Sequence, residues 1–352
     1  MSVLPSSPTI AERISWRLSV PFPVVCVAIS AILTLPIVPY LFPGSESSLM
    51  TTALNRGMGV IHEPEDAVLL GLVWVFFAYL LWATRFMRLR VARTLEEAHD
   101  LFDFPGATFV RAFEPVGWRW PAAAMAVILT ALAAGTFVSE GDVIGPGYLP
   151  AFILDLLIGA GRLLVLTVYV WAYFASVRGL GVICRERLRL VPYYRDPLLG
   201  TRPLGTLSLA LASAFAFGYA LGLAWSLHDP LRSGFFFAAL AIIGLAAIFF
   251  FLPLLSVHAQ MVDEKERELA FVRDRYAELF EISRHQPGAG TREVTLADVT
   301  SALALEASER RITRVHTWPF DTDILARLAT SFAIPVIITV VGREAVLLVL
   351  GL

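Results

Sequence analysis

Long apolar runs without a single charge constrain this chain more than any other feature. Ala67–Thr84, Trp120–Val138, Pro203–Leu227 and Ser233–Val257 each hold 18 or more residues and no Asp, Glu, Lys or Arg. Val20–Phe42, Ala151–Val177 and Leu328–Leu352 are comparably long and apolar. A helix crossing a hydrocarbon core about 30 Å thick needs about 20 such residues. In lipid, a helix satisfies its backbone polar groups internally. The pattern therefore predicts an all-α polytopic membrane protein with seven transmembrane helices. Charged residues make up 16% of the chain, against about a quarter in soluble domains. That scarcity excludes a soluble enzyme, a disordered chain and a disulfide scaffold.

Orientation follows from the basic residues, which are 27 Arg and one Lys, Lys265. Placing the N-terminus inside puts 24 of them on inner segments and only Arg56 and Arg232 on outer loops. Positive charge accumulates on the cytoplasmic side, so the expectation is N-terminus inside and C-terminus outside. The inner loops are then 85–119 and 178–202. The first run holds Pro21, Pro23, Pro36 and Pro39, exceeds a signal-peptide core in length and has no A-x-A cleavage pattern. It is expected as a retained span after a short amphipathic start around Ile10–Leu18. The expected location is the cell membrane, multi-pass, without a cleaved signal peptide. Net charge is −2, so no nucleic-acid partner is implied.

Three regions follow: 1–257 with six spans, 258–327 as a cytoplasmic helical hairpin, and 328–352 as the seventh span. Beyond the sixth span, Val262, Leu269, Val272, Tyr276 and Leu279 keep a coiled-coil-like seam that Lys265 interrupts. Gln286–Gly290 breaks the pattern. A second helix begins near Thr295, with Leu296, Val299, Leu303 and Ile312 as its apolar positions. His316–Asp321 leads into the last span, with Asp321 or Thr322 as N-cap. Arg93–Phe104 is expected as a separate short amphipathic helix. The hairpin 258–315 could dock a cytoplasmic protein or a second copy of the chain.

Within the spans, Ala210, Ala214, Gly218 and Gly222 form a row of small residues that lets helices pack closely. Phe235, Phe236, Phe237, Phe249, Phe250 and Phe251 of span six are expected at the bundle periphery or against lipid. Four charges fall inside spans: Asp155, Arg162, Arg343 and Glu344. Such groups are costly in lipid and are commonly paired and functional. Opposite signs and similar depth suggest Asp155–Arg343 as the first pair and Arg162–Glu344 as the second. Arg327, Ser331, Pro335, Thr339 and Arg343 follow at four-residue steps, making one polar stripe with a proline that can free a carbonyl.

Two function classes fit. The first is a channel or transporter-like protein with a polar path along helix seven, tolerant of anions. The second is a membrane sensor or assembly scaffold acting through the hairpin. The topology resembles that of the seven-span chemoreceptor channels of insects, whose N-terminus is inside, whose C-terminus is outside and whose spans six and seven flank a cytoplasmic region. Their span-seven Tyr/Gln pattern is absent here, so no residue role is carried over. HExxH, GxSxG and Walker A motifs are absent, and the two cysteines, Cys26 and Cys184, show no metal-ligand spacing. No enzyme activity, cofactor or metal is expected.

Overall fold

The computed structural model describes residues 8–34, 64–102, 106–117, 120–139, 149–226, 244–245, 247–284, 296–331 and 333. Among them the chain is helical, with a single isolated bridge between Phe102 and Leu188. The principal helices are α1 (Ile10–Leu18), α2 (Phe22–Thr34), α3 (Pro64–Glu97), α4 (Gly106–Phe113) and α5 (Trp120–Ser139). They continue as α6 (Leu149–Arg185), α7 (Arg202–Ser226), α8 (Leu255–Arg284), α9 (Leu296–Thr313) and α10 (322–331). Four helices in the described residues are long and apolar enough to cross a membrane. A fifth is reached if α1 and α2, bent by 118° to one another, count as one. The molecule is thus a helical membrane protein. Exposed Trp74, Val75, Trp82, Val127 and Ile128 suit a lipid-facing exterior.

α3 is the centre of the bundle, packed by α2, α6 and α7, while α5 lies on α6. Buried hydroxyls stitch these contacts. Ser30 of α2 donates to the Trp74 carbonyl at 2.5 Å, and the Trp74 indole donates back to Val27 O at 3.2 Å. Thr167 of α6 donates to Ala122 O of α5 at 3.1 Å, and Ser208 of α7 to Phe250 O at 2.8 Å.

Two helices are longer than a hydrocarbon core of about 30 Å requires. α3 has 34 residues and α6 has 37, about 51 and 56 Å at 1.5 Å per residue. The separate helix expected over Arg93–Phe104 does not form. α3 continues unbroken to Glu97, and a 3-10 turn follows at His99–Leu101. From Arg85 to Glu97 the chain contains no Gly or Pro, and most of these residues favour helix, so nothing stops it earlier. The expected inner loops are consequently packed structure. Phe113 of α4 is buried against Gly179 of α6, where an added Cβ would meet its ring at 2.6 Å. Arg189 N–H donates to Leu101 O at 2.8 Å. The Gln260 amide donates to the Cys184 and Glu186 carbonyls and accepts from Leu188 N–H. The extended ends of α3 and α6, the start of α7 and residues 315–328 share one continuous apolar core.

The segment His316–Phe320 is part of that core. His258 Nδ1 meets Thr317 O at 2.6 Å, and its ring stacks on Trp318 at 4.2 Å. Asp321 accepts Ile324 N–H at 2.9 Å and so caps α10. That hydrogen bond, helped by Arg202, holds the Asp321 carboxyl below its ordinary range. The expectation for span six's phenylalanines needs correction. Phe250 is fully buried against Phe320, and Phe251 packs on Trp318 and Phe320. Pro253, in a 3-10 turn at Leu252–Leu254, lies just beyond these rings, which meet the Trp-Pro-Phe segment.

α8 and α9 run antiparallel, because Arg273 pairs with Glu309 (3.7 Å) while Lys265 reaches Thr313 O and Val315 O. Lys265, the chain's sole lysine, thus does more than interrupt a seam. Its ammonium donates to carbonyls at the end of α9 at 2.8 and 3.0 Å, where the helix dipole favours a cation. Replacing Lys265 by Met should destabilise the α8–α9 pair by about 1 kcal/mol. Hydrogen exchange would then rise in residues 296–313 and stay unchanged in α3. Of α9's four expected apolar positions only Ile312 is buried. Leu296, Val299 and Leu303 are exposed, because α9 meets α8 over its C-terminal part.

Candidate functional site: a basic cavity beside the polar stripe

The small-residue row on α7 serves packing within the chain. Ala214 O accepts the Tyr79 hydroxyl of α3 at 2.8 Å and the Tyr169 hydroxyl of α6 at 2.9 Å. An added Cβ on Gly218 would meet the Tyr169 hydroxyl at 2.6 Å, and one on Gly222 would touch Phe76 at 3.4 Å. The glycines therefore make room for aromatic rings from two neighbours, whose hydroxyls both donate to one carbonyl. Tyr79→Phe or Tyr169→Phe alone should cost about 1 kcal/mol. The double variant should cost about the sum, because the Ala214 carbonyl keeps its helical N–H partner, as read in a double-mutant cycle of thermal unfolding.

Ala210 and Ser213, on the same helix, border something different. A cavity of about 580 Å³ lies between α3, α7 and α10. Arg90 and Arg93 of α3, Arg202 of α7 and Arg327 of α10 line it. The Ser213 and Ser331 hydroxyls meet at 2.9 Å beside it, and Ser331 also donates to Arg327 O at 2.7 Å. The upper part of the polar stripe, Arg327 and Ser331, therefore faces α7 and the cavity. Pro335, Thr339, Arg343 and Glu344 lie outside the described residues.

Arg162 has a partner that sequence reasoning missed. Its Nε donates to Leu33 O of α2 at 2.7 Å. Leu33 is the last residue but one of α2 that the structure describes. Gly161 permits the approach, since a Cβ there would meet Leu33 Cδ2 at 2.9 Å. Asp155 lies seven residues earlier on α6, at a register that shares the face of Arg162. Both expected ion pairs involve partners outside the described residues.

The second missed cluster is Glu12. α1 begins with a capping box: Thr9 Oγ1 accepts Glu12 N–H at 3.2 Å, and Glu12 accepts Thr9 N–H at 2.7 Å. The same carboxylate pairs with the buried Arg88 guanidinium and with Arg85 at 3.6 Å. Arg85 also lies over the Phe22 ring, 4.4 Å from its centroid. The Thr-x-x-Glu spacing was a readable signal for the cap. The tertiary pairing had none, because arginines 73 and 76 residues away are indistinguishable in sequence from any other arginine. α3 thus sorts its arginines onto two faces: 85 and 88 toward α1, 90 and 93 toward the cavity. Among the described residues no group of three or more His, Cys, Asp or Glu side chains is arranged to hold a metal ion. No family model, curated protein or solved structure matches this chain.

Proposed function

We propose that this chain is a seven-span transport protein of the cell membrane, N-terminus inside, with an anion-tolerant path along the seventh apolar segment. The path's inner mouth is the arginine-lined cavity. The observation carrying this reading is that Arg327 and Ser331, the first members of the polar stripe, line that cavity, where Ser331 meets Ser213 of α7. A polar helix face beside a basic vestibule is the arrangement that anion passage requires. The test is solute flux into proteoliposomes, comparing wild type with Arg343→Ala and Asp155→Ala. Anion flux in wild type, lowered about tenfold or more in Arg343→Ala, is the expected result, since one deep charge alters a barrier by more than the ~1.4 kcal/mol that tenfold requires. Absence of flux with every anion tried, and variants that fold like wild type, would remove the reading.

One observation favours a second reading, a membrane scaffold. Phe271 on α8 and Leu296, Val299 and Leu303 on α9 are exposed apolar side chains, Leu296 at 80%. A docking role for the α8–α9 pair makes Phe271→Ser/Leu303→Ser lower the protein's assembled mass in light scattering, with flux unchanged. The transport reading alone expects no change in mass.

A further inference from the structure

The cavity between α3, α7 and α10 also has a chemistry of its own. Four guanidinium groups from three helices converge on about 580 Å³. Only one carboxylate, Asp323, shares the lining, and it is held by Arg327 at 2.7 Å. Asp321, at the rim, meets Arg202 at 3.7 Å. Neither acid reaches α3's contribution. Among the described residues, the Arg90 and Arg93 side chains meet no carboxylate. Arg90 is half-buried, so its charge is removed from part of its solvent without a counter-charge, an arrangement that costs energy unless something anionic compensates it.

Guanidinium is the side chain best shaped for an oxyanion. Its planar fork presents parallel N–H donors that match two phosphate oxygens, and several forks around one volume favour a group with three or four oxygens over a monatomic anion. The positive N-terminal ends of α7 and α10 lie at Arg202 and Asp321, adding a field of the same sign. Apolar side chains, Phe86, Leu209 and Ile324, share the lining with the arginines. A cavity that is both basic and partly apolar suits a phosphate joined to an organic group.

We propose that this cavity is a binding site for a phosphate group, held by Arg90 and Arg93 together with Arg202. The phosphate comes either from an anionic lipid headgroup or from a soluble phosphate. The site goes beyond the transport reading, because binding does not require conduction. A protein that binds phosphate and shows no flux keeps the site and loses the path, whereas flux without phosphate binding does the reverse.

The experiment uses the full chain, delipidated in neutral detergent and also in nanodiscs of phosphatidylcholine with or without phosphatidylglycerol. Inorganic phosphate is titrated calorimetrically against chloride at matched ionic strength, and retained lipid is identified by native mass spectrometry. Phosphate heat in detergent assigns a soluble ligand. Selective retention of phosphatidylglycerol without phosphate heat assigns a headgroup. In either case Arg90→Gln/Arg93→Gln should weaken binding by about tenfold per arginine. Arg187→Gln, which removes an exposed charge outside the cavity, should leave it unchanged. If the double variant does not fold, Arg202→Gln, at an exposed position, carries the same expectation. Binding of neither probe, or equal binding in wild type and the arginine variants, overturns the proposal.

Discussion

Glu12→Gln should destabilise the protein by about 3–5 kcal/mol, the range for breaking a buried ion pair from one side. Glu12 is 8% exposed and Arg88 5%, so the guanidinium left behind stays out of water without this carboxylate. The loss should be local first. α1 is tied to the bundle by this carboxylate and by the small apolar cluster of Ala11, Phe22, Val25 and Cys26. Trypsin should therefore cut at Arg13 and Arg17 in the variant well below its unfolding temperature, and at neither in the wild type. Adding Arg88→Met should restore much of the lost stability, because the buried guanidinium is then removed together with the carboxylate it pairs with. A double variant no more stable than Glu12→Gln would show that Glu12 acts through its cap alone, an effect nearer 1 kcal/mol. The tether sits next to the basic cavity in sequence, with Arg88 preceding Arg90 by two residues. Phosphate binding in Glu12→Gln thus reports whether α1 also holds the cavity's arginines in place.

The second large effect is expected at Gly205. A methyl group there would run into the Pro319 carbonyl oxygen, with the Phe320 Cβ 3.6 Å away. The obstacle is backbone, which cannot rotate aside as a side chain can. Gly205→Ala must push residues 316–320 away from α7 at about 1–3 kcal/mol. That segment carries the Trp318 ring stacked on His258 and the Phe320 ring packed on Phe250. Trp318 should therefore report the shift as a change in its fluorescence. Gly71→Ala is the control, since nothing lies within 4 Å of its added Cβ. In mid-helix it should be neutral or stabilising by up to about 1 kcal/mol. Equal melting temperatures for Gly205→Ala and wild type would mean that the 316–320 segment does not rest on α7.

How legible this fold was depends on which force acts. The amphipathic start at Ile10–Leu18 was visible because a helix repeats its face every 3.6 residues, and α1 has those bounds. The Asp321 cap was visible because capping needs a short polar side chain at one position. The continuation of the sixth span's helix to Arg284 was visible because no Gly or Pro lies between Leu255 and Arg284. Phe250, by contrast, was placed at the periphery because three adjacent phenylalanines offer no period to read. Its burial depends on a segment 70 residues away. Leu296, Val299 and Leu303 were placed inside a helical pair by spacing alone, yet α9 meets α8 over its other end.

The charges divide along the same line. Hydropathy and charge placement along the chain are one-dimensional quantities, and lipid acts on them directly. They establish that this is a helical membrane protein. Which arginine meets Glu12, which donates to the Leu33 carbonyl and which four line a common cavity are three-dimensional facts. Every arginine carries the same charge, so only the rotation of α3, α6, α7 and α10 about their axes, set by packing around Gly161, Gly205 and Gly218, tells them apart.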